Sequence, residues 1–165
     1  LEQRPRQPVG GIGRPGEKPA AYLGANIVTN AGDTRYGQLG AGETPTNGFV
    51  VMVLGTTASP TPAKADDFSN VTEVAGSEKA FAAGYPQTND GDADNSGTTG
   101  VDVVTYLTDY AKGDFTATGI TEGCITNAAP GAAEPLLTRF AFASSFDKTA
   151  DDTLKVFVNH QMNGV

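Results

Sequence analysis

Side chains able to do chemistry are few in this chain and stand far apart. There is one histidine, His160, and one cysteine, Cys124. Acid–base catalysis needs a titratable group held against its partner, and covalent catalysis needs a nucleophile beside a base. With no second histidine and no paired cysteine, neither residue supports a catalytic reading. His160 continues the even-numbered series Leu154, Val156 and Val158, so it is expected at the edge of a core or at an interface. Cys124, beside Ile125, reads as a small buried hydrophobe. A lone cysteine excludes an intramolecular disulfide, and with a single histidine it excludes most zinc sites. Neither Gly-x-Ser-x-Gly, nor a phosphate loop, nor a dinucleotide fingerprint occurs, and no strand precedes the glycines of Val9-Gly10-Gly11-Ile12-Gly13. The chain therefore reads as a non-enzyme without a cofactor.

One motif has ion chemistry. In NDGDADNSG, residues 89 to 97, the carboxylates Asp90, Asp92 and Asp94 fall at alternate positions. The first half of a calcium loop has this spacing, because Ca²⁺ takes hard oxygen ligands. Asn95 stands where that loop needs glycine, Val101 where it needs a bidentate glutamate, and helical flanks are missing. The first reading is a solvated acidic loop, with Ca²⁺ on Asp90, Asp92 and Asp94 as the alternative.

The elements that must position these residues are mostly strands. FVVMVLG at 49 to 55 reads as a strand buried on both faces. AYLGANIVTN at 21 to 30 reads as a short strand broken by Gly24, and the glycine-rich 31 to 48 as a loop. VDVVTYLTDY at 101 to 110 favours a strand through its β-branched and aromatic residues. Phe115–Thr118 and Cys124–Thr126 are two further short strands around Gly119 and Gly123. Phe68, Val71 and Val74 recur every third residue behind Asp66, predicting a short helix capped by Asp66 and ended by Gly76. Near the end, Phe140, Phe142 and Phe146 alternate, as do Leu154, Val156 and Val158. With polar DKTADD between them they read as a hairpin with one apolar face, placing Phe140, Phe142, Leu154 and Val156 in the core. About seven short strands with one short helix make a mainly β antiparallel β-sandwich or jelly roll.

Composition agrees. Leu, Ile, Val and Phe make up 20% of the 165 residues, and glycine and proline number 21 and 10, so the core is small and the loops are long. No apolar run approaches the roughly 18 residues of a membrane span. Charge divides the chain into residues 1–20 and 21–165. Residues 1 to 18 carry Arg4, Arg6, Arg14 and Lys18 against Glu2 and Glu17, a balance of +2, whereas the remainder balances at −10. An acidic body repels phosphates, which argues against a nucleic-acid partner. The basic segment, with Pro5, Pro8, Pro15 and Pro19, reads as an extended arm whose arginine forks suit carboxylates on a neighbour. It holds no apolar stretch of a secretory signal, so the sequon Asn70-Val71-Thr72 is expected to be unused.

The order of these features resembles small structural proteins of tailed-bacteriophage virions. The resemblance rests on FVVMVLG, TTASPTPAKADDFSNVTEV, Ala83-Gly84-Tyr85, GDFTATGIT and the paired ending LLTRFAFASSFDKTADDTLKVFVNH. It covers about residues 49 to 160. Proteins of that kind that decorate (cement) the head clasp the shell with an N-terminal arm, and residues 1 to 20 suit that role. The resemblance implies a capsid decoration protein on the outer virion surface, made in the bacterial cytoplasm. Its partners would be the major capsid protein and neighbouring copies of itself, met through Arg4, Arg6, Pro8, Arg14 and Lys18. The rival reading is a tail or surface module that binds carbohydrate or a receptor. Such modules use exposed aromatic platforms, and tryptophan is absent here, leaving Tyr36, Tyr85 and Tyr110.

Overall fold

The computed structural model describes residues 23–88 and 102–162. The arm and the loop holding Asp90, Asp92 and Asp94 lie outside the described residues. Stretches of β-branched and aromatic residues form two antiparallel sheets. The larger contains β1 (Leu23–Val28), β2 (Val51–Gly55), β3 (Lys79–Ala80), β6 (Ala117–Thr126) and β7 (Leu136–Lys148), in the order β1-β7-β6-β2-β3. The smaller runs β4-β5-β8, from β4 (Gln87–Thr88), β5 (Val103–Tyr110) and β8 (Leu154–Gln161). Met52, Leu54, Ile125, Phe140 and Phe142 of the larger sheet meet Tyr106, Tyr110, Val156 and Val158 of the smaller in one apolar core. This is the β-sandwich that strand number and alternation predict.

The expected pairing of the last two strands is wrong. β7 pairs with β1 and β6, while β8 pairs with β5 in the other sheet. The segment between them is an arch across the sandwich, not a hairpin. Alternation fixes which face of each strand is apolar. It leaves open whether two such faces lie side by side or oppose one another, and here they oppose across the core. Lys148 closes the arch: its buried Nζ donates to the carbonyls of Ala111, Phe115 and Thr149 at 3.3, 3.1 and 3.4 Å and sits 4.8 Å from the Phe115 ring centroid. Phe140, Phe142 and Val156 are buried as expected, and Leu154 packs half-buried against them.

Other elements depart from the sequence reading for local reasons. The predicted loop at 31 to 48 begins with a helix, α1 (Asn30–Gly40), whose N-cap Thr29 accepts from Gly32 N at 3.2 Å. Its glycines read as breakers. In place, Gly32 is what lets the helix lie on β7, because a Cβ there would collide with the Leu137 carbonyl oxygen and the Val28 side chain. β2 begins at Val51 rather than at Phe49, whose φ of 45° leaves extended backbone. The two strands expected around Gly119 and Gly123 form one strand, β6, with register shifts against β7. The expected helix after Asp66 shrinks to a 3₁₀ turn at Phe68–Asn70. Asp67 caps that turn, and its side chain accepts from Ser69 N at 2.9 Å. Phe68 and Val71 pack onto the outer face of the larger sheet with Val51, Val53, Cys124 and Leu136.

Candidate functional site

Between the end of β1 and the end of β8 lies an open groove of about 490 Å³. Asn26, Ile27 and Val28 form one wall, and Asn159, His160, Gln161 and Met162 the other. Asp33 and Tyr36 of α1 join Lys64 at its end. The backbone pins Lys64 there through Asn30 N donating to Lys64 O at 2.8 Å, and its ammonium pairs with Asp33 at 2.6 Å.

Behind the groove, three polar aromatic residues form a chain. The Tyr36 hydroxyl lies 2.9 Å from that of Tyr106 and 2.6 Å from His160 Nδ1. Either phenol can donate to the other, and the imidazole tautomer sets the direction of the Tyr36–Nδ1 bond. Nε2 is buried and finds no hydrogen-bond partner among the described residues. Burial lowers the His160 pKa to about 4, because the charged ring would lose its hydration. Burial likewise raises both phenols. All three groups are neutral near pH 7, so the chain orients α1 against β5 and β8 and lends hydrogen bonds rather than charge.

This depressed pKa has a measurable consequence. In the unfolded chain His160 protonates near 6.5, whereas the folded state resists until about 4. The contribution is complete above 6.5, shrinks as pH falls towards 4, and is constant below that. Between pH 7 and 4.5 the parent should therefore lose about 2 kcal/mol more unfolding free energy than His160→Gln. Urea denaturation at the two pH values reads the difference, and equal losses would show that His160 titrates freely in the fold.

A second polar centre is sealed under residues 56–74 on the outer face of the larger sheet. Arg139 Nε donates to Glu122 Oε2 at 2.7 Å and Nη1 to Asp66 Oδ2 at 2.9 Å. Asp66 also accepts from Ala63 N at 2.8 Å. Burial alone would lower the Arg139 pKa, but its hydrogen bonds and charge contacts with Asp66 and Glu122 outweigh that and raise it. Gly55 makes room for this centre, since a Cβ there would lie 2.9 Å from both Glu122 Cγ and Val71 Cγ1. These charges fasten a loop to a sheet.

The sequence-derived candidates fall out as follows. His160 sits at the core edge as expected, with Tyr36 brought to it by α1. Cys124 is fully buried, with its thiol pKa pushed up by burial. Tyr110 is fully buried among core residues, against its expected exposure, while Tyr36 and Tyr85 are half-buried. Arg4, Arg6, Pro8, Arg14, Lys18, Asp90, Asp92 and Asp94 lie outside the described residues. Among the described residues, no three His, Cys, Asp or Glu side chains converge as metal ligands do. Sequence reasoning missed Arg139 and Glu122, whose signal was a charge inside an otherwise apolar strand.

Fold and groove together define the class: an antiparallel β-sandwich with a polar groove between its two sheets. Comparison with protein-family models, curated proteins and solved structures gives no match.

Proposed function

We propose that this chain is a non-enzymatic structural protein of a tailed-phage virion, a decoration protein that stabilises the head shell through its N-terminal arm. The observation that carries the reading is the division of charge: a balance of +2 over residues 1 to 18 ahead of a body at −10. Arginine forks at Arg4, Arg6 and Arg14 suit carboxylates on a partner subunit, and the prolines limit the entropy lost on docking. Many such attachments across a lattice turn weak contacts into firm retention. The sandwich supports the reading as a rigid block whose buried ionic groups, Arg139, Glu122 and Lys148, hold loops and turns in place.

Removing residues 1 to 20 should leave thermal melting unchanged and abolish cofractionation with particles. Replacing Arg4, Arg6 and Arg14 by glutamine should weaken it less, and mainly at low salt, where the charged contacts are unscreened. A truncated chain that stays on particles as firmly as the full chain would overturn the role of the arm. The groove favours a second reading, a carbohydrate- or receptor-binding module, through the carboxamides of Asn26 and Gln161 beside the Tyr36 ring. Binding on a sugar array that is lost in Gln161→Ala would favour this module over the shell protein.

A further inference from the structure

Among the described residues, four strands end the two sheets: β1, β3, β4 and β8. An open edge is a row of unpaired N–H and C=O groups, and proteins blunt such edges by shortness, bulges, prolines or charge. β3 is two residues long, β4 is described over Gln87–Thr88, and β1 breaks register against β7 between Leu23 and Ala25. β8 has one of these devices, the exposed Lys155, and lacks the others. It stays in unbroken register with β5 over all eight residues, from Leu154↔Tyr110 to Gln161↔Val103. It contains no proline, no glycine and no carboxylate, and its one charged group is Lys155. Among the described residues, no strand pairs with its outer side.

We propose that this edge pairs antiparallel with β8 of a second copy, joining two three-stranded sheets into one six-stranded sheet about a two-fold axis. Opposed residues in an antiparallel pair share a face. A pairing centred on Phe157 sets Phe157 against Phe157, Val156 against Val158 and Lys155 against Asn159. Apolar side chains then meet apolar ones on both faces, and no like charges are opposed. In a chain of net charge −8, an edge strand free of carboxylates brings no like charges of its own together when two copies pair. The arm is a poorer occupant. Prolines at 5, 8, 15 and 19 interrupt its donors, and its longest proline-free internal run, residues 9 to 14, holds three glycines. This inference does not depend on the virion reading, because self-association and particle attachment are separate measurements.

Sedimentation of the full chain over a wide concentration range tests it. The parent should pass from monomer to dimer, while Phe157→Lys and Phe157→Glu should each associate at least tenfold more weakly, since each sets like charges face to face. An equimolar mixture of the two variants should recover the dimer. Because Phe157 is half-buried, hydrogen exchange of the parent at low and high concentration provides a check independent of any substitution: amide protection should rise with concentration in β8 and stay constant in β1. A parent that is monomeric throughout overturns the proposal. So does a dimer whose added protection lies away from β8, or one lost when residues 1 to 22 are removed, which would make the arm the occupant.

Discussion

Replacing Arg139 by methionine should destabilise the sandwich by about 3–5 kcal/mol, because it leaves a buried carboxylate without its counter-charge. Glu122 is fully buried, and its second oxygen, Oε1, finds no hydrogen-bond partner among the described residues. The Arg139 contact to Oε2 at 2.7 Å is thus its charged partner. Domains are stable by only about 5–15 kcal/mol, so urea denaturation and thermal melting should both register the loss. Asp66→Asn should cost less, since Asp66 lies nearer the surface and keeps an oxygen for Ala63 N. The decisive comparison is Arg139→Met with Glu122→Met. Exchanging a buried ion pair for packed apolar side chains is often neutral, so the double variant should be more stable than Arg139→Met alone. If it is no more stable, or if Arg139→Met melts like the parent, the pair does not carry the stability assigned to it.

The same residues mark where sequence reasoning stops. Asp66 stands where a helix N-cap would, but the turn starts one residue later with Asp67 as its cap, and the Asp66 carboxylate meets Arg139, 73 residues away. No local pattern announces such a partner. Tyr36 reaches His160 across 124 residues from a segment whose glycines read as turns, so the groove was half legible: its β8 wall could be read and its helical end could not. Faces were better determined than neighbours. Phe140, Phe142, Val156 and Val158 alternate, and all four are buried. Yet period two says nothing about which strand lies alongside, and a polar six-residue linker serves an arch as well as a hairpin. The sequence divides the long β6 strand in two for a related reason. Gly119, with φ of 67°, and Gly123 look like interruptions, although the second is a deliberate absence of side chain.

That absence leads to the second large effect. Phe140→Ala should cost about 3–5 kcal/mol, the range for deleting a buried aromatic ring. Phe140 is fully buried, meets Phe142 edge-on at 5.6 Å, and lies directly opposite Gly123 in the β6–β7 register. A Cβ on Gly123 would stand 2.5 Å from Phe140 Cζ and 2.8 Å from Cε2, so the ring occupies the space a side chain would need. Gly123→Ala alone should therefore destabilise by about 1–3 kcal/mol through overpacking. Combined with Phe140→Ala, most of that cost should vanish, because the ring that obstructs the new methyl is gone and the methyl fills part of the cavity. The backbone oxygen of Val53, 3.1 Å from the same Cβ position, remains and keeps a small penalty. A double-mutant cycle should thus show coupling of about 1 kcal/mol or more, with the pair less damaging than the sum of its members. Strict additivity would mean that Gly123 is required by the path of the β6 backbone rather than by the Phe140 ring, and the account of why this strand carries a glycine at its centre would have to change.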